Sequence, residues 1–109
     1  MSQRTEKVAR LIQQITAAEL SRLAESAQFT ITRADVSPDL REATVWVGVV
    51  VSDPDEVEKL FKKHLYPYRK QFQEAVARGL STKFVPRLSF KRDASGAYAD
   101  EITRLIRGL

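Results

Sequence analysis

A proline inside an otherwise helical segment is the feature that most limits how this chain can fold. Residues 61–73 read FKKHLYPYRKQFQ, a run rich in helix-forming residues, yet Pro67 stands between Tyr66 and Tyr68. Proline removes one helical hydrogen bond, clashes with the preceding turn, and pushes the residue before it out of helical geometry. We therefore predict two consecutive helices, the first ending near Tyr66 and the second running from about Pro67 to Arg78.

Both of these helices carry further sequence signals. Asp53 can accept hydrogen bonds from the free N–H groups of the first helix, and Pro54 suits its first position. Gly79 is a natural stop for the second helix. The predicted buried side chains of the two helices are Val57, Leu60, Phe61, Leu65, Phe72, Ala75 and Val76.

Hydrophobic spacing predicts the other elements. Apolar residues at three- and four-residue intervals indicate helices over 4–25 and 97–107. Alternating patterns predict strands over 28–36, 43–51 and 83–91, the first two forming an antiparallel hairpin. Because Pro86 has no N–H, the third strand is predicted either to lie at an edge there or to start there. Three strands cannot close a barrel, so the prediction is one α+β domain over residues 1–109, with helices packed on one face of an open sheet.

The central segment holds most of the positive charge. Residues 1–58 have six Lys and Arg against ten acidic residues, whereas residues 59–92 have ten against one, and residues 93–109 have two against three. Such asymmetry indicates a polyanion as partner. The alternative is a solvated face that the acidic parts of the chain neutralise in space.

Several functional classes find no support in the sequence. No run of about 18 apolar residues predicts a membrane span, and the amphipathic N-terminus does not look like a signal peptide. The chain has no cysteine and one histidine, His64, so we expect neither a metal site nor a cofactor. Asp35, Asp39 and Glu42 are expected to make turn hydrogen bonds instead of catalysing a reaction. A cytoplasmic protein with no small-molecule substrate and no membrane partner fits these observations.

Three local patterns carry a resemblance to a known family. They are RTEKVARLIQQITAAEL at 4–20, VSPDLREATVWV at 36–47 and FVPRLSFKRDAS at 84–95. Together, in this order and spacing, the chain resembles the ribosome-binding factor A family. The element order likewise resembles the KH type II arrangement, α-β-β-α-kink-α-β, here followed by a C-terminal helix.

The resemblance implies a small monomeric assembly factor that is not an enzyme. Family members bind the immature 30S ribosomal subunit and its 16S rRNA, assist late small-subunit maturation and rRNA processing, and support growth in the cold. They carry a helix–kink–helix with an A-x-G pattern where other KH domains have G-x-x-G. The corresponding place here is Tyr66-Pro67-Tyr68, so proline is expected to make the kink.

The basic segment supplies the candidate RNA-binding residues. Arg69 and Lys70 are the leading candidates, because they follow the break and could meet a phosphate at the new helix start. The full set is Lys62, Lys63, Tyr66, Tyr68, Arg69, Lys70, Arg78, Lys83, Arg87, Lys91 and Arg92.

Other interpretations of these residues stay open. The tyrosine rings could stack on bases or pack on the core, the lysines could only keep the chain soluble, and Trp46 could be core, covered by the first or last helix, or open to a base. The alternative function is a protein–protein adaptor or a dimerising α+β domain that uses the open sheet face.

Overall fold

The computed structural model describes residues 3–23, 29–51 and 53–94. Its helices are α1 (Gln3–Arg22), α2 (Pro54–His64) and α3 (Arg69–Gly79), and a 3₁₀ turn at Tyr66–Tyr68 joins the last two. Its strands are β1 (Phe29–Val36), β2 (Glu42–Val49) and β3 (Arg87–Arg92). The predicted helix over 97–107 lies outside the described residues.

The three strands form one sheet in the order β1-β2-β3. The predicted antiparallel hairpin of β1 and β2 is confirmed, and β3 runs parallel to β2 at the edge. The register shifts between Ile31, which pairs with Val47, and Arg33, which pairs with Trp46, so β1 has a bulge at Thr32 that the sequence pattern did not reveal. The order of elements confirms the predicted α+β class and the KH type II arrangement up to β3.

One face of the sheet is covered by all three helices. The inward strand residues Val45 and Val47 are fully buried, as are Ile12 of α1 and Phe72 of α3, and the same core contains Phe61 of α2. Each large apolar side chain buried in this way contributes about 1.5–3 kcal/mol. Helix α2 starts as predicted, with the Asp53 carboxylate accepting a hydrogen bond from the Asp55 N–H at 3.1 Å. The helices and the inner sheet face therefore share a single core.

Strand β3 begins four residues later than its sequence pattern predicts. The first main-chain hydrogen bond to its neighbour comes from the Arg87 N–H, which donates to the Arg41 carbonyl at 2.8 Å. Pro86, which has no N–H to donate, is buried immediately before the strand. The alternating pattern places Phe84 on one strand face with Pro86, Leu88 and Phe90, but Phe84 lies before the strand and is 70% exposed.

The side chain of Gln73 ties α3 to the outer edge of β3. Its Nε2 donates to the Pro86 carbonyl at 2.8 Å, and its Oε1 accepts from the Leu88 N–H at 3.1 Å. An edge strand presents backbone groups that have no strand partner, and here one amide satisfies a donor and an acceptor together. This contact holds β3 beside the first turns of α3.

Helices α1 and α3 approach each other at Gly79. A methyl group built at Gly79 would lie 2.4 Å from Ile15 Cδ1 and 3.1 Å from Ile15 Cγ1. Because real Cβ atoms do not approach side chains so closely, glycine here permits a close helix contact as well as ending α3.

We predict that Gln73→Ala destabilises the fold by about 1–3 kcal/mol, because it leaves a donor and an acceptor of the β3 edge without partners. Urea unfolding followed by circular dichroism measures this change. Gln71→Ala is the matched control, since Gln71 is exposed on the same helix, and it should change stability by less than about 0.5 kcal/mol. Equal stabilities for the two variants would contradict the role given to Gln73.

We also predict that positions 15 and 79 are energetically coupled. Ile15→Val removes the Cδ1 atom that a side chain at position 79 would meet, so Gly79→Ala should be more favourable in the Ile15→Val background by about 1 kcal/mol. Thermal or urea unfolding of the wild type, both single variants and the double variant gives the coupling. Additive effects, within about 0.3–0.5 kcal/mol, would show that the helices do not meet at this point.

Candidate nucleic-acid interface

The break between α2 and α3 is a short 3₁₀ turn around Pro67, here called the bend (Tyr66–Tyr68). Helix α2 ends at His64, two residues before the predicted end, and Leu65 follows with its side chain fully buried. The Tyr68 N–H donates to the Leu65 carbonyl at 3.0 Å, and the Arg69 N–H donates to the Tyr66 carbonyl. Proline is thus accommodated by one tight turn, with Leu65 anchored in the core and Pro67 on the surface.

The start of α3 is less open than the sequence suggested. The side chain of its N-cap residue, Tyr68, makes no capping hydrogen bond, but the N–H groups of Tyr68 and Arg69 are already used within the bend. A phosphate would consequently meet fewer free backbone donors than at an ordinary helix start. The attraction for an anion at this place comes mainly from the basic side chains.

The two tyrosines of the bend pack on the core. The Tyr66 ring meets the Phe61 ring edge-to-face, with centroids 5.9 Å apart, and both Tyr66 and Tyr68 are half-buried. The guanidinium of Arg69 lies 4.6 Å from the centroid of the Tyr66 ring. This cation–π contact holds Arg69 at the surface of the bend. Because the Tyr66 ring also packs on Phe61, it is less accessible to a base than a fully exposed ring would be.

Four exposed basic residues flank the bend, and we call them the bend cluster: Lys62, Lys63, Arg69 and Lys70. Lys62 lies 3.6 Å from Glu58 across one turn of α2, a surface ion pair of small energetic value. Within residues 3–23, 29–51 and 53–94, no carboxylate lies within ion-pair distance of Lys63, Arg69 or Lys70. These three side chains are therefore not neutralised by the acidic parts of the described chain.

Arg78 lies away from the bend cluster. It is nine residues after Arg69, or about 13 Å along α3, and it is close enough to Glu19 of α1 to stabilise that carboxylate. A hydrogen bond from Arg22 is the main reason that the pKa of Glu19 is lowered, and the charge of Arg78 adds to the effect. The structure thus brings Arg78 to the α1–α3 contact, near an acidic partner.

Arg87 and Lys91 lie on the open face of the sheet. Both side chains are exposed. They lie on the sheet face opposite to Phe90, whose ring packs against Phe72 on the helical side. Lys91 is the register partner of Trp46 on the neighbouring strand. These two cations therefore lie on the opposite side of the sheet from the helices that flank the bend.

Trp46 lies on this open face, where it makes a hydrogen bond and a cation–π contact. Its Nε1 donates to Asp35 Oδ2 at 2.7 Å, and the guanidinium of Arg33 lies 4.7 Å from the ring centroid. Helix α1 packs on the opposite face, against Val45 and Val47. Trp46 is therefore neither part of the core nor covered by the first helix. The prediction that Asp35 makes a turn hydrogen bond is wrong, because its carboxylate accepts the hydrogen bond from Trp46.

The two remaining candidate cations, Lys83 and Arg92, lie in different environments. Lys83 is exposed beside the Phe84 ring, with its Nζ 5.5 Å from the ring centroid. Arg92 is half-buried, and its buried Nε has no hydrogen-bond partner among the residues that the structure describes. Of the predicted RNA-binding cations, Arg92 is the one that is turned toward the protein.

The described residues form neither a candidate metal site nor a candidate membrane span. They contain no group of three or more His, Asp or Glu side chains that could hold a metal ion, and none of their helices is long and apolar enough to cross a membrane.

Comparisons with known proteins identify the family to which this chain belongs. The family model for ribosome-binding factor A matches residues 4–106. The ribosome-binding factor A of Akkermansia muciniphila is 32% identical over 113 aligned residues, which cover 100% of this chain and 86% of the relative.

One solved structure and one fitted homology model share the fold. A Thermotoga maritima protein solved by NMR aligns with a TM-score of 0.73 at 22% identity, covering 87% of this chain and 92% of its own. A homology model of Thermus thermophilus ribosome-binding factor A, fitted into a cryo-EM map of a 30S complex, aligns with a TM-score of 0.56 at 19% identity, covering 74% and 86%. The match of the family model and the identity to the Akkermansia relative show that the chain belongs to the ribosome-binding factor A family.

Proposed function

We propose that this protein is a non-catalytic assembly factor that binds the immature 30S subunit through its 16S rRNA and assists late small-subunit maturation and rRNA processing. Membership of the ribosome-binding factor A family supports this proposal. So does the Thermus relative that was fitted into the map of a 30S complex. The protein acts as a cytoplasmic monomer, with residues 1–109 forming one RNA-binding domain.

The observation that carries the proposal is the bend cluster. Lys63, Arg69 and Lys70 are exposed, close in sequence around a fixed turn, and free of ion pairs with the described carboxylates. Each contact between such a cation and a phosphate releases condensed counterions, which favours RNA binding and makes it sensitive to salt. Since phosphate contacts carry no sequence information, the shape of the bend selects which rRNA segments fit.

The proposed mechanism is occupancy. The protein docks electrostatically, holds rRNA segments in an immature arrangement, and leaves when a later factor displaces it. The described residues contain no cluster that could hold a metal, and the mechanism requires neither a cofactor nor a small-molecule substrate.

The alternative function, an adaptor or dimer that uses the open sheet face, has weaker support. Stable homodimer interfaces are largely apolar at their centres. The open face presents Arg33, Arg87 and Lys91 around a tryptophan that is already engaged with Asp35. A charged face of this kind fits an anionic partner better than a second copy of the chain.

We predict that the double reversal Arg69→Glu/Lys70→Glu weakens binding to immature small subunits on the order of 10- to 100-fold, because two phosphate contacts are replaced by repulsion. Filter binding between about 50 and 200 mM salt should also show a slope of log Kd against log salt that is smaller by roughly 2. Circular dichroism should show that the variant remains folded, since both side chains are exposed.

Lys7→Glu/Arg10→Glu is the matched control for this experiment. It changes the net charge equally, on exposed positions of α1, and should leave most of the affinity and the salt slope unchanged. If both double variants lose the same affinity, overall charge and not the bend governs binding. If neither loses affinity, the bend has no role in docking.

A further inference from the structure

A pocket beside the β1–β2 turn has no role in the proposed docking through the bend. It has a volume of about 240 Å³ and is lined by three segments that are distant in sequence. These segments are the first turn of α1, the turn between β1 and β2, and the loop between α3 and β3. The lining residues are Arg4, Thr5, Pro38, Asp39, Leu40, Thr82, Lys83 and Phe84.

Phe84 gives this pocket an aromatic surface. Its side chain is 70% exposed, although it lies only two residues before the fully buried Pro86. The Thr82 hydroxyl donates to the Phe84 carbonyl at 2.9 Å, which fixes the backbone of the loop. The ring therefore projects from a hydrogen-bonded loop without being part of the core.

Two cations share the pocket with this ring. Arg4 enters from α1, and Lys83 has its Nζ 5.5 Å from the centroid of the Phe84 ring. Both side chains are exposed, and no carboxylate of the described residues forms an ion pair with either. The pocket thus combines a ring face with positive charge, the pairing that binds single-stranded nucleic acid.

The one carboxylate in the pocket is committed to the hairpin turn. Asp39 Oδ1 accepts hydrogen bonds from the Ser37 hydroxyl at 2.7 Å and the Arg41 N–H at 3.1 Å. The hydrogen bond from Ser37 is the main reason that the pKa of Asp39 is lowered, and the bond from the Arg41 N–H adds to the effect. Asp39 therefore stays ionised while it accepts the hydrogen bonds of the turn. The neighbouring Leu40 has a φ of 61°, which is unusual for leucine and is the kind of strain found at functional sites.

We propose that this pocket binds one unpaired nucleotide of an RNA strand, with its base stacked on Phe84 and a phosphate beside Arg4 and Lys83. The volume is below the roughly 300–1,000 Å³ of sites that enclose a drug-sized ligand, so it suits a single base instead of a larger molecule. The inference rests on the proposed function for its RNA partner, but it concerns a second contact, separate from the bend. A free mononucleotide has the same chemistry, and the experiment distinguishes the two sources.

The test is fluorescence anisotropy with labelled single-stranded hexa-adenylate, an abasic hexamer of the same charge, and adenosine monophosphate as competitor. Phe84→Ala should weaken hexa-adenylate binding roughly 5- to 150-fold, the range for loss of one stacked base. It should leave binding of the abasic hexamer unchanged, and Phe84→Trp should restore hexa-adenylate binding. Lys83→Ala should weaken both hexamers and lower the salt slope by roughly 1.

Val50→Ala is the matched control, because Val50 is also a large apolar residue, 61% exposed, outside the pocket. It should bind both hexamers like the wild type. Equal binding of hexa-adenylate by Phe84→Ala and wild type would overturn the proposal, and so would wild-type protein that binds no hexamer. If adenosine monophosphate binds as tightly as the hexamer, the pocket is a mononucleotide site and the RNA assignment fails.

These outcomes are separable from failure of the proposed function. If immature small subunits bind the wild type and Phe84→Ala equally but bind Arg69→Glu/Lys70→Glu weakly, the pocket has no role in subunit binding. The proposed docking through the bend would still stand. Loss of hexa-adenylate binding in Phe84→Ala, together with no subunit binding by the wild type, would support the pocket and contradict ribosomal docking.

Discussion

The tight turn at Pro67 is the constraint on which the rest of the structure depends. Strand β3 runs parallel to β2, so the chain must cross over the sheet between them, and parallel strands need a connection of a dozen or more residues for this. A single straight helix over 54–79 would be about 39 Å long, whereas the eight-residue β2, along which it must return, is only about 26 Å long. The 3₁₀ turn divides the crossover into two helices while Leu65 stays fully buried at the joint.

Two contacts then fix α3 after the bend. Gln73 joins it to the outer edge of β3, and Gly79 allows it to approach Ile15 of α1. Because both sides of α3 are held, its first turn has a defined position on the surface. The helix turn that carries Arg69 and Lys70 is therefore preorganised, and a phosphate that binds there does not have to order the backbone first.

Much of the fold could be predicted because its signals are local. The alternating valines of β2, the Asp53 cap and the break at Pro67 each follow from rules that act over a few residues. The bulge at Thr32 could not be predicted, because it depends on the register between two strands. Gln73 was missed for the same reason, since its partners lie 13 and 15 residues away.

The candidate site was less predictable than the fold. Charge counting found the basic segment, but it could not show that its cations occupy separate places. The bend cluster lies beside Pro67, Arg87 and Lys91 lie on the open sheet face, and Arg78 lies close to Glu19. The exposure of Phe84 was also missed, because alternation placed it on one strand face with Phe90, whereas the strand begins only at Arg87. Such features depend on where β3 starts and how α3 lies on α1, which are properties of the whole fold.

Directed cleavage of 16S rRNA tests the central claim, that the bend faces RNA. The chain has no cysteine, so an iron chelate can be attached at a single introduced position, Gln71→Cys next to the bend or Gln14→Cys on the exposed side of α1. With either variant bound to immature small subunits, we expect rRNA strand cleavage from position 71 and little or none from position 14. Cleavage from position 14 alone would contradict the account, because a different face of the protein would then contact the RNA.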